Sequence, residues 1–177
     1  MYRKLIACSL PLFVIGCSGM PAPTRSVNVP DQLKAQPTES LAMIVPAKGV
    51  QIYECRAKAD QAGGYAWAFV APEADLFDAK GQKIGTHYGG PHWESADGSK
   101  VVGRVKTSAA APRADDIPWL LLSTKNVAAQ GAFSATTSIQ RVNTLGGIAP
   151  ATGCSQASVG STARIPYTAD YYFLRER

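Results

Sequence analysis

The chain has 177 residues, with 18 Lys and Arg against 13 Asp and Glu and a formal net charge of +5 at pH 7. This length suits one domain with a core of its own. The basic residues are spread along the chain, whereas nucleic-acid binding requires a clustered basic surface that neutralises phosphates. Composition therefore argues against a nucleic-acid partner.

The first sixteen residues have the pattern of a lipoprotein signal peptide. Arg3 and Lys4 form a basic start, and residues 5–15 are apolar but too few to span a bilayer as a helix. The run ends in Val14-Ile15-Gly16-Cys17, which resembles a bacterial lipobox, whose cysteine is acylated and becomes the mature N-terminus. Ser18 stands where lipoproteins retained in the inner membrane often carry Asp. We expect an exported protein anchored by a palmitate-type lipid on Cys17 at the periplasmic face of the outer membrane. An ordinary signal peptide with an incidental cysteine is the alternative.

Residues 17–36 are predicted to be a flexible tether between the lipid and the folded domain. They contain Pro21, Pro23 and Pro30 among Gly, Ser, Thr and Asn, with few apolar residues. The domain is then expected over residues 37–177.

Two cysteines, Cys55 and Cys154, lie within the predicted domain. An exported protein meets an oxidising compartment, where two such cysteines most often pair. A disulfide between them would close a loop of about 100 residues and contribute roughly 4–5 kcal/mol on the chain-entropy model. A reactive thiol and a metal ligand are the alternatives.

The domain has the pattern of many short strands. In residues 50–56, period-two geometry places Gln51 and Cys55 on one face, and residues 65–70 carry aromatic rings at alternate positions that are expected to form a wall of the core. Residues 118–123 are continuously apolar and are expected to be buried on both faces. No sustained helical repeat interrupts the series. We predict a single all-β antiparallel domain of about eight to ten short strands, either a sandwich or a barrel.

Several ordered segments together resemble one known family. They are GVQIYECR, residues 67–103, IPWLLL, TSIQRVNTLGG and PYTADYYF. They are similar to the bacterial and fungal family catalogued as domain of unknown function 3455, over roughly residues 29–173. The resemblance implies a secreted or surface domain without an assigned activity. Some fungal relatives carry a malate dehydrogenase label, which this chain does not support because no G-x-G-x-x-G follows a strand.

A candidate site lies in residues 75–104, which contain both histidines of the chain. The middle turn of this stretch is Gly89-Gly90-Pro91, and aromatic and ionisable residues flank it. Such clustering beside a Gly-rich loop is typical of a ligand contact. The residues predicted to line a shallow pocket there are His87, Tyr88, His92, Trp93 and Glu94. Burial of Trp93 in the core is the competing interpretation.

Two classes of function are open. The first is a non-enzymatic binding or structural domain that contacts a small molecule, a glycan or an envelope protein, and the absence of a catalytic motif favours it. The second is a metal-dependent or hydrolytic enzyme that uses His87, His92 and Glu94, because His92 and Glu94 share a strand face and a folded-back turn would add His87. These three have no diagnostic metal-ligand spacing, so neither a metal nor a cofactor is predicted.

The lipobox assignment is tested at Cys17. Cys17→Ala removes the acylated thiol, so the variant should keep its signal peptide and lose the lipid mass. Intact-mass spectrometry of the membrane fraction measures both. A wild-type protein with an unmodified mature N-terminus would contradict the assignment.

Overall fold

The computed structural model describes residues 27–177, and the strands within this range form one closed antiparallel barrel. Each strand pairs with its neighbour in the chain, and β8 closes the barrel against β1. The eight strands are β1 (Glu39–Ala57), β2 (Tyr65–Phe77), β3 (Lys83–Tyr88), β4 (His92–Ser95), β5 (Lys100–Ala109), β6 (Trp119–Asn126), β7 (Ser138–Gly146) and β8 (Thr162–Glu176). The prediction of a single all-β antiparallel domain is confirmed, and of the two architectures considered the barrel is observed.

Alternation along each strand separates an inner face from an outer face. On β1, Val45 and Ala47 point inward and join the main core, and Gln51 and Cys55 are buried on the same side. The period-two pattern predicted that Gln51 and Cys55 share a face, and the structure shows that this face is the inner one. Eight strands enclose an interior just wide enough for side chains to fill. The barrel therefore has a packed core along most of its length.

The loop between β6 and β7 closes one end of the barrel, which we call the plugged end. Phe133 from this loop is fully buried, with its ring centroid 4.8 Å from that of Phe173. The Phe133 N–H donates to Ser99 Oγ, and Asp97 accepts from Ser99 and from the Ala132 N–H. The hydrogen bond from the Ser99 hydroxyl and those from the backbone hold the pKa of Asp97 well below its usual range.

Residues 27–36 pack against the outside of the barrel. A short 3-10 helix, Asp31–Leu33, places Leu33 in a second apolar cluster with Trp119 and Leu121. The Gln140 side-chain amide donates to the Leu33 carbonyl at 2.6 Å. Because this segment covers β6 from outside, β6 is buried on both faces, as its continuous apolar sequence predicted.

This packing changes the predicted boundary of the domain. Residues 27–36 were assigned to the tether, but their apolar side chains cover an apolar patch of the sheet and so belong to the packed unit. The predicted signal peptide, Cys17 and the start of the tether lie outside the described residues. Within residues 27–177, no helix has the length and apolar character needed to cross a bilayer.

Cys55 and Cys154 form a disulfide, as predicted, across a sequence separation of 99 residues. The bond joins the end of β1 to the long connection between β7 and β8. Further contacts tie this connection down: the Cys55 N–H donates to the Ser161 carbonyl, and Tyr53 Oη donates to the Gly147 carbonyl at 2.7 Å. The disulfide therefore fixes one wall of the barrel end opposite the plug.

The prediction that the aromatic rings of residues 65–70 form a wall of the core is wrong. β3 pairs with β2 only over residues 73–77, so the start of β2 extends beyond β3. Phe69 is 52% exposed there, and Trp67 is partly exposed and donates its indole N–H to the Thr152 carbonyl. Trp67 thus packs beside the β7–β8 connection, and the Phe69 ring contacts that of Tyr53 edge-on at 5.8 Å. β2 contributes the smaller Ala74 and Leu76 to the core.

Replacing Cys55 and Cys154 together by alanine should lower the free energy of unfolding by about 2–5 kcal/mol, since the unfolded chain loses a long cross-link. Urea denaturation of the oxidised wild type and the double variant measures the difference. Adding a reductant to the wild type should reproduce the loss and should leave the variant unchanged. Equal stability of the two proteins would contradict the structural role of the bond.

Candidate functional site

The end of the barrel opposite the plug contains a half-open cavity of about 360 Å³, which we call the mouth. Every strand contributes at least one side chain to its lining, so the cavity is the unfilled end of the barrel interior. Ligand pockets of roughly 300–1,000 Å³ occur in the mouths of barrels, with largely apolar walls and a few polar groups. The mouth has this size and composition.

Three aromatic rings in contact with one another form the floor of the mouth. His87 lies parallel to Trp93 with ring centroids 4.2 Å apart, and Tyr171 meets Trp93 edge-on at 5.4 Å. Trp93 is 1% exposed and His87 is 3% exposed. Gly103 on β5 makes room for this floor, because a Cβ at that position would lie 2.7 Å from Trp93 Cζ3.

The imidazole of His87 is neutral at physiological pH. Its Nδ1 lies 2.8 Å from the His92 carbonyl and must carry the proton there, since a carbonyl oxygen only accepts. Burial lowers the pKa of His87 to about 3, and the nearby charge of Arg141 acts in the same direction. The floor therefore adds no positive charge to the mouth.

Two polar side chains stand in the wall of the mouth. Arg141 on β7 is half-buried and donates from Nε and Nη2 to the Pro118 carbonyl, at 3.2 and 2.7 Å. Gln51 on β1 is 2% exposed, and its Nε2 atom has no hydrogen-bond partner of acceptable geometry. Burial raises the pKa of Tyr167, and the nearby Gln51 amide acts in the opposite direction. These two residues bring donors to an otherwise apolar wall.

The rim of the mouth exposes apolar side chains to solvent. Phe69 is 52% exposed, Val70 is 45% exposed and Val105 is 51% exposed. Gly90 and Pro91 from the β3–β4 turn complete this edge, so the turn singled out by the sequence does border a cavity. Gly90 has a φ of 118°, and a Cβ there would overlap the His92 ring, so the turn requires glycine.

The five predicted site residues do not converge on one pocket. Because β3 and β4 pair with His87 opposite Trp93 and Tyr88 opposite His92, the first pair points inward and the second outward. Glu94 shares the outer face with Tyr88. The predicted shallow pocket of five side chains is thus corrected to two faces of one hairpin, and the contact of each residue with a ligand stays a prediction.

The outward residues form a hydrogen-bonded cluster of their own. Tyr88 Oη donates to Glu94 at 2.6 Å, and Lys100 Nζ lies 3.0 Å from the same carboxylate. The Tyr88 hydroxyl and then Lys100 hold the pKa of Glu94 below its usual value. Since His87 points inward, it cannot share an ion with Glu94, and within residues 27–177 no group of three or more His, Cys, Asp or Glu side chains is placed to hold a metal.

A larger and more open groove of about 450 Å³ crosses the outer surface near Tyr88. Arg164 contacts Glu73 at 2.8 Å and Asp75 pairs with Lys83 beside the groove, whereas Lys48 in the lining has no ion pair among the described residues. Most of the charges that the groove presents are therefore compensated by neighbours. The mouth, with its unpaired donors and apolar walls, is the stronger candidate site.

The sequence interpretation missed Gln51, Arg141 and Tyr171 as site residues. Each is one strand position in a different part of the chain, and only barrel closure brings them together. A signal was present for two of them: Gln51 shares the buried face of β1, and Arg141 lies two residues after the buried Ile139 on β7. A polar residue at an inward position is unusual and points to an internal site.

A model of the family described as Protein of unknown function (DUF3455) matches residues 36–175. The chain belongs to this family. The resemblance inferred from the sequence is thereby confirmed, and the family brings no assigned activity with it. Comparisons with curated proteins and with solved structures find no match.

The low pKa of His87 predicts a loss of stability in acid. The unfolded chain takes up a proton near pH 6.5, whereas the folded barrel excludes it down to about pH 3. Stability is therefore complete above pH 6.5 and falls as the pH is lowered towards 3. His87→Phe keeps a ring on Trp93 and should flatten this fall between about pH 7 and pH 4, as measured by urea denaturation. An equal flattening in His92→Phe, the matched outer-face control, would contradict the assignment to His87.

Proposed function

We propose that this chain is a lipid-anchored binding protein of the cell envelope that holds a small, largely apolar molecule in the mouth of its barrel. The single observation that carries the proposal is the half-open cavity floored by His87, Trp93 and Tyr171. Eight-stranded barrels of this size either fill their interior with side chains or retain space for one small ligand. Here the plugged end is filled and the mouth is not.

The exposed apolar rim supports the proposal that the mouth binds a ligand. Phe69, Val70 and Val105 border the cavity, and each leaves nearly half or more of its surface in contact with solvent. Burying apolar surface is favourable by roughly 25 cal/mol per Å², so covering this rim provides a driving force for binding. The same apolar surface disfavours a glycan, whose hydroxyl groups need many polar partners.

The lining of the mouth favours binding over catalysis. Among the described residues that form it there is no carboxylate, hydroxyl of Ser or Thr, or thiol to act as a nucleophile. The imidazole in the lining is that of His87. This ring is stacked on Trp93, and its Nδ1 is hydrogen-bonded to a backbone carbonyl. The alternative of an enzyme built on His87, His92 and Glu94 has less support, because His87 faces the barrel interior while His92 and Glu94 face outward.

The proposed lipid anchor is supported by the sequence of the N-terminal segment. The lipobox-like Val14-Ile15-Gly16-Cys17 supports attachment to a membrane, and Ser18 supports the outer membrane of the envelope. A domain held there by its N-terminus would meet molecules that pass through the periplasm. A small apolar molecule, rather than an envelope protein, is the partner that the concave mouth fits best.

Blocking the mouth tests the proposal. Val105→Trp places a large ring at the rim and should abolish or greatly weaken binding of apolar probes by narrowing the cavity. Val127→Trp is the matched control, because Val127 is a similarly exposed valine at the plugged end, 46% exposed. A panel of fatty acids, fatty alcohols and aromatic compounds is titrated into each protein by isothermal calorimetry, where burial of apolar surface gives a negative heat-capacity change. Failure of the whole panel to bind the wild type, or equal binding by both variants, would overturn the proposal.

A further inference from the structure

We propose that the ligand of the mouth is an anionic amphiphile, whose carboxylate or phosphate group binds Arg141 while its apolar part lies along the rim. This inference rests on the proposed function and names the chemical class that the site selects. The inference rests on the positive charge and the hydrogen-bond donors in the wall of the mouth, which a wholly apolar ligand would leave without partners.

The mouth contains a positive charge without a compensating acid. Arg141 contributes a guanidinium, His87 is neutral, and no Asp or Glu is among the described residues that line the cavity. Among the ion pairs of residues 27–177, none includes Arg141. A half-buried charge is costly unless it is paired, and an anion from outside would provide that pair.

The guanidinium is held in position but is not saturated. Nε and Nη2 bind the Pro118 carbonyl, which orients the planar group and uses only part of its five N–H donors. Its charge, and a side-chain hydrogen bond that it makes with Tyr171, partly offset the rise that burial causes in the pKa of Tyr171. A pre-oriented guanidinium with free donors matches the geometry of a carboxylate or phosphate.

Gln51 gives a second and independent indication of an acceptor in the cavity. Its Nε2 is buried without a hydrogen bond of acceptable geometry, although the side chain lines the mouth. An unsatisfied buried donor of this kind is unfavourable, so an oxygen acceptor placed in the mouth would relieve it. An oxygen acceptor in the mouth would thus provide a partner for both Arg141 and Gln51, and the charge of Arg141 favours an oxygen that carries negative charge.

The apolar part of the ligand has a separate place. Phe69, Val70 and Val105 form the exposed rim, and Leu120 adds a partly buried apolar wall next to Arg141 on the facing strand. A head group on Arg141 therefore leaves the rest of the molecule against these side chains. An amphiphile fits this division better than a wholly polar anion or a wholly apolar compound.

Four ligands with the same alkyl chain and different head groups test the inference on the wild-type protein. Decanoate, decyl phosphate, decanol and decylamine are titrated by calorimetry at neutral pH, below the concentrations at which they form micelles. The anions should bind at least about tenfold more tightly than decanol, because decanol cannot form a charge-assisted hydrogen bond with Arg141 as an anion does. Decylamine should bind most weakly, because its positive charge is repelled by the guanidinium. The ratio of decanoate to decyl phosphate identifies which acidic group the site prefers.

Two pairs of variants locate the preference. Arg141→Gln should reduce the preference for the anions over decanol to about threefold or less, and Arg104→Gln, on the outer face of β5, should leave it unchanged. Val105→Asp adds a carboxylate at an exposed rim position and should weaken the anions while favouring decylamine, whereas Val127→Asp should not. This second pair keeps the test decisive if Arg141→Gln fails to fold, which circular dichroism would reveal.

The outcomes separate the inference from the proposed function. Equal affinity of decanoate, decyl phosphate and decanol overturns the anionic ligand and leaves binding in the mouth intact. A preference for anions that survives both Arg141→Gln and Val105→Asp also overturns it, since the charge would then lie elsewhere. Failure of all four to bind, together with failure of the wider panel, overturns both.

Discussion

The stack of His87 on Trp93, crossed by Tyr171, is the contact on which the organisation of the barrel depends. It separates the packed part of the interior, which ends at Phe133, from the unfilled end that forms the mouth. Stacked and edge-on aromatic pairs contribute about 0.5–1.5 kcal/mol each beyond their buried area. The stack thus stabilises the core and supplies a rigid floor for a ligand.

Closure of the sheet explains what the sequence could and could not predict. Period-two and continuous apolar patterns were sufficient for the all-β class, for the residues of β1 that share a face and for the double burial of β6, because these depend on local sequence. The rings at the start of β2 were assigned to the core wrongly, since their exposure depends on how far β3 extends alongside. The packing of residues 27–36 on the barrel is likewise a long-range contact. It could not be predicted from the composition of this segment, which is typical of tethers.

The sequence identified only part of the candidate site, and closure of the sheet is again the reason. The sequence located the turn that borders the mouth and two floor residues, His87 and Trp93, but grouped them with Tyr88, His92 and Glu94 on the opposite face. A one-residue step along a strand reverses the direction of a side chain. Gln51 and Arg141 are 90 residues apart in the chain and meet only because β1 and β7 both flank β8. Their donors give the mouth a chemical preference as well as a shape.

The central claim is that a ligand enters the mouth and contacts its wall, and nuclear magnetic resonance with isotopically labelled protein tests it most directly. On addition of decanoate, the account predicts the largest shift changes at the Gln51 side-chain amide, the Trp93 indole N–H and the Arg141 Nε–H, with little change at the plugged end. Changes confined to the outer cluster of Tyr88, His92 and Glu94, or an unchanged spectrum, would contradict it.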